Sequence, residues 1–180
     1  MFTTRVLVSL FEFVLSVIMS GLVIYLTYRI FIKANPDFDM EVEIKKGNVS
    51  VGILVAAILY AASMILQKGL GSVVSMFRLY LSAPGETNLG IGKLILLSFG
   101  HLALSMLLAL ITISVTLRLF GKLVRRHMHA GEELQKGNIA VGIVLASVVL
   151  VAALYVGEGV SSISKALVPQ PSIGQIEIMR

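Results

Sequence analysis

The chain contains no cysteine and no tryptophan, and only 14% of its 180 residues are charged. Without cysteine, the sequence excludes disulfides, thiolate catalysis and cysteine-bound zinc. The charged fraction is well below the roughly 25% that is usual for soluble domains, whereas 57% of the residues are hydrophobic. So few charges cannot cover the surface of a water-soluble domain of this size. The composition therefore excludes a soluble enzyme, a nucleic-acid-binding protein and a disordered chain.

Four long apolar runs account for this composition. About 20 apolar residues cross a hydrocarbon core of ~30 Å, and each run is long enough to do so with some tilt. The predicted spans are residues 7–32, 49–66, 94–120 and 139–156. The predicted fold is therefore an all-α integral membrane protein with four transmembrane helices.

An internal repeat organises these spans. At an offset of 90, one set of residues recurs: Glu43, Lys46, Gly47, Asn48, Val51, Gly52, Ile53 and Ala56 match Glu133, Lys136, Gly137, Asn138, Val141, Gly142, Ile143 and Ala146. At an offset of 89, Leu15, Ser16, Thr27, Arg29, Phe31 and Lys33 match Leu104, Ser105, Thr116, Arg118, Phe120 and Lys122. The spans are thus predicted to form two tandem two-helix repeats. Because each repeat has an even number of spans, the two run in parallel orientation.

The boundaries and sidedness follow from this repeat. We predict a first repeat at 1–82, an extracytoplasmic linker at 83–92, a second repeat at 93–168 and a flexible tail at 169–180. Nine basic residues fall in the two charged loops and six on the other side. Since basic loops favour the cytoplasm, both charged loops are predicted to be cytoplasmic and both termini extracytoplasmic.

The conformation of two segments outside the predicted spans needs separate interpretation. Acidic and apolar residues alternate from Asp37 to Ile44, which predicts a strand-like segment. After the second span, residues 69–86 fit either a separate helix in the outer interface or a continuation of the span itself. The sequence leaves these two alternatives open.

The signature Lys-Gly-Asn-x-x-Val-Gly-Ile occurs twice, at 46–53 and 136–143, each time after acidic residues. With this duplication, the sequence resembles the bacterial inner-membrane family catalogued as domain of unknown function 350, from about residue 15 to residue 153. The resemblance implies a small inner-membrane protein without established catalytic activity that accompanies envelope-stress or membrane-remodelling systems. It supplies no site residues.

The repeated signature has two interpretations. Asn48 and Asn138 stand just before apolar helical runs, where an asparagine side chain caps a helix by accepting a backbone hydrogen bond. Alternatively, two such helix starts attract an anion or a lipid headgroup. The residues concerned are Lys46, Gly47, Asn48, Lys136, Gly137 and Asn138.

Small residues four positions apart also recur, as Gly52 with Ala56 and Gly142 with Ala146. In lipid, such faces allow helices to approach closely. We therefore predict helix packing here, in preference to the lining of a pore.

Four ionisable residues are predicted to lie in one layer near the outer boundary of the hydrocarbon: Glu12, Lys68, His101 and Glu158. Charged groups at this depth tend to turn inward or pair. One interpretation is a structural polar layer that fixes helix register. The other is a proton- or ion-responsive site in which His101 titrates.

No catalytic set is recognisable, and no metal or cofactor is predicted. His127 and His129 are weak evidence for zinc, and the basic run around Arg125 is predicted to contact anionic lipid. The predicted partners are the lipid bilayer with its anionic headgroups and either further copies of the chain or a partner membrane protein. We predict a non-enzymatic bacterial inner-membrane protein that acts by self-assembly or partner binding in envelope homeostasis. The alternative is a proton- or ion-responsive channel or transporter that uses the outer polar layer.

Overall fold

The structure is a computed structural model that describes residues 2–32, 38–82, 90–125 and 128–167. Within these ranges the chain is helical and contains no strand. The helices are α1 (Phe2–Thr27), which continues into a π-helical turn (Tyr28–Ile32), α2 (Met40–Lys45), α3 (Val49–Ser82), α4 (Ile91–Val124), α5 (Ala130–Gln135) and α6 (Ile139–Leu167). The predicted tail at 169–180 lies outside the described residues.

Four of these helices are long and apolar enough to cross a membrane: α1 with its π-helical turn, α3, α4 and α6. The prediction of an all-α chain with four helices of this kind is confirmed. Residues 69–82 continue α3 without a break as far as Ser82. Of the two alternatives for this segment, it is therefore the continuation of the second span. Helix α4 begins at Ile91, inside the segment predicted as a linker.

The strand-like prediction for the first charged loop is wrong over Met40–Lys45, which forms α2, while Asp37 lies outside the described residues. Asp39 caps this helix by accepting a hydrogen bond from the backbone N–H of Val42 at 3.1 Å. The buried side chains are Met40 and Glu43, three positions apart on one helical face. Local capping thus prevails over the alternation of acidic and apolar residues in this short segment.

Helix α3 is the centre of the bundle. It packs most extensively against α6, then against α4 and then against α1, and α4 also packs against α6. The core is built from fully buried apolar side chains on these helices, including Ile58, Ile65, Ile113, Val149 and Val160. Helix α1 is the least buried of the four long helices, and its outward face is apolar. Such a face is suited to contact with lipid or with another helix.

Candidate functional site

The Lys-Gly-Asn motif forms the same turn twice. At the end of α2, the N–H of Gly47 donates to the carbonyl of Ile44 at 2.9 Å, and the N–H of Asn48 donates to that of Glu43 at 3.0 Å. Gly47 has a φ of +78°, so the turn is a Schellman motif that favours glycine. At the end of α5, Gly137 has a φ of +82° and makes the corresponding bonds. Each motif ends a short helix and starts a long one.

Both asparagines cap the long helices that follow. Asn48 Oδ1 accepts from the N–H of Val51 at 3.3 Å, and Asn138 Oδ1 accepts from that of Val141 at 3.4 Å. These are the third positions of α3 and α6, where an N-cap side chain normally bonds. The asparagine side chains therefore occupy a capping geometry at both sites.

A glutamate neutralises the lysine of each motif. Glu43 accepts from Lys46 Nζ at 2.8 Å and from Asn48 Nδ2 at 3.1 Å, and these bonds lower the pKa of its carboxyl group. In the second motif, Glu133 accepts from Asn138 Nδ2 at 3.0 Å and from Lys136 Nζ at 2.9 Å, again with a lowered pKa. Because both lysines and both amides are held by glutamates, this geometry leaves little to attract an external anion.

The two motifs differ in one respect that the sequence did not reveal. Asn48 Nδ2 also approaches the carbonyl oxygens of Leu134 and Gln135, at 2.9 and 3.2 Å. The buried Ser50 hydroxyl donates to the same Leu134 carbonyl at 2.8 Å. These bonds fasten the end of α5 to the start of α3. Position 140, which corresponds to Ser50, is alanine.

The two small-residue faces are used differently. A Cβ atom on Gly142 would lie 2.7 Å from the carbonyl oxygen of Ser50, so α6 approaches the backbone of α3 closely at this point. Ala146, one turn further along α6, is buried. In contrast, a Cβ on Gly52 would meet nothing within 4 Å, and Ala56 is exposed. Within one chain, helix packing thus occurs at the second face and not at the first.

The predicted polar layer is only partly assembled. Lys68 Nζ donates to Glu158 Oε1 at 2.6 Å, which joins α3 to α6. His101 is buried with its Nδ1 2.9 Å from the carbonyl of Leu97, while its Nε2 has no hydrogen-bond partner among the described residues. Glu12 is exposed on α1, and its carboxylate forms no hydrogen bond with another described residue. The structure therefore brings together two of the four groups.

A close contact between α3 and α4 was not anticipated from the sequence. A Cβ atom on Gly69 would overlap the side chain of Ser105 and would lie 3.4 Å from the carbonyl oxygen of His101. Ser105 is fully buried and donates to that same carbonyl at 2.8 Å. Only glycine at position 69 permits this approach.

Comparison with known proteins places the chain in a family. The family model described as Domain of Unknown Function (DUF350) matches residues 4–160. The chain belongs to this family. No curated protein and no solved structure matches it. The family description assigns no activity, so the function of this DUF350 chain has to be argued from its own residues.

Among the described residues of the DUF350 chain, a cavity of about 860 Å³ opens at the end of the bundle that carries α2 and α5. It lies beside the π-helical turn, the last turns of α4 and the start of α5. Its lining combines apolar residues with Arg118, Lys122, Arg125 and His129. Arg118 and Lys122 on α4 and Arg125 at its C-cap have the spacing of one helical face, which is visible in the sequence. No group of three metal-ligating side chains occurs in the described part of the chain, and His127 lies outside it.

Proposed function

We propose that this protein is a non-enzymatic component of the bacterial inner membrane that acts by associating with further copies of itself. In this proposal the chain consists of two parallel two-helix repeats, with both charged loops in the cytoplasm and both termini outside. The excess of basic residues in the charged loops supports that orientation. The resemblance to an envelope-associated family supports a role in envelope homeostasis.

The observation that carries self-association is the contact of Gly69 with Ser105 between α3 and α4. By the offsets of 90 and 89, the corresponding residues are Gly159 on α6 and Ser16 on α1. These two residues do not meet within one chain, since a Cβ on Gly159 would have nothing within 4 Å. Gly159 is exposed and Ser16 is half-buried, so neither is covered by the other within one chain.

Joining Ser16 of one copy to Gly159 of the next copy would repeat between chains the interface that exists within the chain. In lipid, contacts between small residues are a principal means of helix association. The two surfaces differ, so the contact is heterologous and generates a ring if the rotation closes. We therefore infer head-to-tail assembly through α1 and α6.

The position of Glu12 supports the same arrangement. It lies one turn before Ser16 on α1, and it is exposed in the single chain. A carboxylate that faces hydrocarbon is costly, and such groups usually face protein. A second copy that covers Ser16 would also shield Glu12 from lipid.

The alternative, a proton- or ion-responsive channel or transporter, draws on the buried His101 Nε2 and on the Lys68–Glu158 pair. Against it, the interior of the bundle is filled by apolar side chains such as Ile58, Ile65 and Ile113. A permeation path would have to form between chains and not through the centre of one.

Cysteine crosslinking tests the association directly, because the chain has no cysteine of its own. We would introduce Ser16→Cys and Gly159→Cys together and oxidise the protein in native membranes. Disulfide-linked dimers and larger multiples are expected from the double variant. The matched control combines Ser16→Cys with Gly71→Cys, a glycine that is also exposed and open but lies on α3.

Two outcomes would contradict the proposal. One is equal crosslinking in the control, and the other is a double variant that remains monomeric. Ion flux in liposomes that contain the purified protein addresses the alternative. A conductance that is abolished by Glu12→Gln and unaffected by Ser16→Cys would favour the channel.

A further inference from the structure

The cavity at the charged-loop end has an apolar interior. Phe31 from the π-helical turn, Met40 from α2, Leu54 and Ile58 from α3 and Leu117 from α4 contribute to its lining. Helix α4 lines it from Arg125 at the mouth to Ser114, 11 residues deeper, which corresponds to ~16 Å of helix. The cavity is therefore a space that enters the bundle from its charged end and has apolar side chains along part of its wall.

The mouth of the cavity is basic on one side. Arg118, Lys122 and Arg125 are spaced by four and three residues, so they lie on one face of α4. All three are exposed, and none forms a hydrogen bond or an ion pair with another described residue. Among the described residues that line the cavity, one carboxylate is present, that of Glu132. Three cations against one carboxylate leave a local excess of two positive charges.

The other described basic side chains at the same end of the molecule already have hydrogen-bond partners. Lys45, Lys46 and Lys136 are all engaged by glutamates at 2.8 to 2.9 Å. Arg29 donates to the hydroxyl of Tyr25 at 2.7 Å. Among the described basic residues at this end of the molecule, the three at the cavity are thus available for an external anion.

We propose that this cavity binds an anionic phospholipid, with one acyl chain inside the bundle and the phosphate on Arg118, Lys122 and Arg125. Arginine suits a phosphate because its guanidinium group donates two parallel hydrogen bonds. A sugar phosphate has no apolar group that would contact Leu54, Ile58 and Leu117, whereas an acyl chain does. A phospholipid of the surrounding leaflet meets both requirements at the depth where the basic residues lie.

The site goes beyond self-association. The lipid site rests on the proposed location of the protein in a membrane. It does not rest on the proposed contact between α1 of one copy and α6 of the next. The π-helical turn beside it is consistent with a binding role, since π-bulges within helices occur frequently at functional sites. Occupancy of the site would then depend on the fraction of anionic phospholipid in one leaflet.

The experiment measures lipid retained by the purified protein in detergent by native mass spectrometry, with phosphatidylglycerol and phosphatidylcholine offered at equal concentration. The wild-type protein is expected to retain phosphatidylglycerol at least tenfold more than phosphatidylcholine. The variant R118Q/K122Q/R125Q is expected to lose this preference. The matched control R29Q/K45Q/K136Q removes the same number of exposed charges from the same end of the molecule, outside the cavity, and is expected to keep it.

A second variant tests whether an acyl chain enters the cavity while the basic residues are left in place. A Cβ on Gly121, which lines the cavity, would meet nothing within 4 Å, so we choose Gly121→Leu to add bulk there. It is expected to reduce retention of phosphatidylglycerol while all the basic residues stay in place. Dodecyl phosphate should displace the lipid, whereas inorganic phosphate at the same concentration should not.

Three results would overturn the proposal. Equal loss in R118Q/K122Q/R125Q and in its control would mean general charge attraction. Displacement by inorganic phosphate would mean a small-anion site, and unchanged retention in Gly121→Leu would mean that no acyl chain enters. Oligomer size, followed in the same spectra, distinguishes this failure from that of self-association, because the cavity variants are expected to assemble normally.

Discussion

Lys68 Nζ lies 2.6 Å from Glu158 Oε1, and the two residues stand 90 positions apart, the same offset that relates the two Lys-Gly-Asn motifs. Two positions separated by this offset thus carry a cation on α3 and an anion on α6. A pair of identical charges at these positions would repel. The opposite charges therefore make this contact between α3 and α6 attractive.

Charge reversal tests this relationship. The single variants Lys68→Glu and Glu158→Lys each place like charges together, and each should lower the free energy of unfolding by about 1 kcal/mol. For a chain of this size, the thermal midpoint in detergent would fall by roughly 2–4 °C. The double reversal should recover most of the loss. A double variant as unstable as the sum of the single variants would show that the two groups do not interact.

The two glycines that begin the small-residue faces provide a matched pair. Gly142→Ala places a Cβ 2.7 Å from the Ser50 carbonyl oxygen and 2.9 Å from the Ser50 Cα, and it should destabilise the protein by about 1–3 kcal/mol. Gly52→Ala meets nothing within 4 Å and should stabilise α3 by up to about 1 kcal/mol. Thermal unfolding in one detergent compares the variants. Equal effects of the two substitutions would contradict the close approach of α6 to Ser50.

The Asn48 side chain should contribute more to the stability of the protein than the Asn138 side chain does. Removing an N-cap asparagine costs about 1 kcal/mol at either site. Asn48→Ala also abolishes the approach of Nδ2 to the carbonyls of Leu134 and Gln135, and a hydrogen bond contributes about 0.5–1.5 kcal/mol. We therefore expect Asn48→Ala to lower stability by about 1 kcal/mol more than Asn138→Ala. Urea or thermal titration of both variants measures the difference, and the reverse order would refute it.

The sequence predicted the features that depend on near neighbours. The number of apolar spans and the positions of the Gly-Asn turns follow from residues within a few positions of each other, so periodicity and spacing reveal them. The strand-like prediction for Asp37 to Ile44 failed over residues 40–44, because so short a segment does not separate alternation from a capped helical turn.

The sequence could not show which of two similar surfaces is used. Gly52 and Gly142 have nearly the same local sequence, yet only Gly142 meets another helix. That choice depends on how α3 and α6 cross, which is a property of the whole bundle. For the same reason, the prediction that Glu12 and His101 lie at one depth did not show that Glu12 is exposed and His101 is buried. The cavity likewise requires residues from several separate helices to meet.

The glutamates of the two charged loops should give the protein a defined acid sensitivity. Bonds from Lys46 and Asn48 hold the pKa of Glu43 below its ordinary value, and bonds from Asn138 and Lys136 do the same for Glu133. A carboxyl group whose pKa is lowered by folding contributes stability above its unfolded pKa of ~4.3, and this contribution disappears as the pH falls through the lower folded value. The loops should therefore loosen only in acid, below the ordinary titration range of a glutamate.

Carboxyl carbon chemical shifts in detergent micelles, recorded against pH, measure these values directly. Asn138→Ala should raise the pKa of Glu133 towards its ordinary value, because the bond from Asn138 is the largest cause of its shift. The pKa of Glu43 should stay unchanged in that variant and serves as the internal control. The stability lost in Asn138→Ala should also shrink at acid pH, where Glu133 is protonated in both proteins. If Glu133 titrated at the same pH with and without Asn138, the hydrogen bond at 3.0 Å would not be the cause of the lowered pKa.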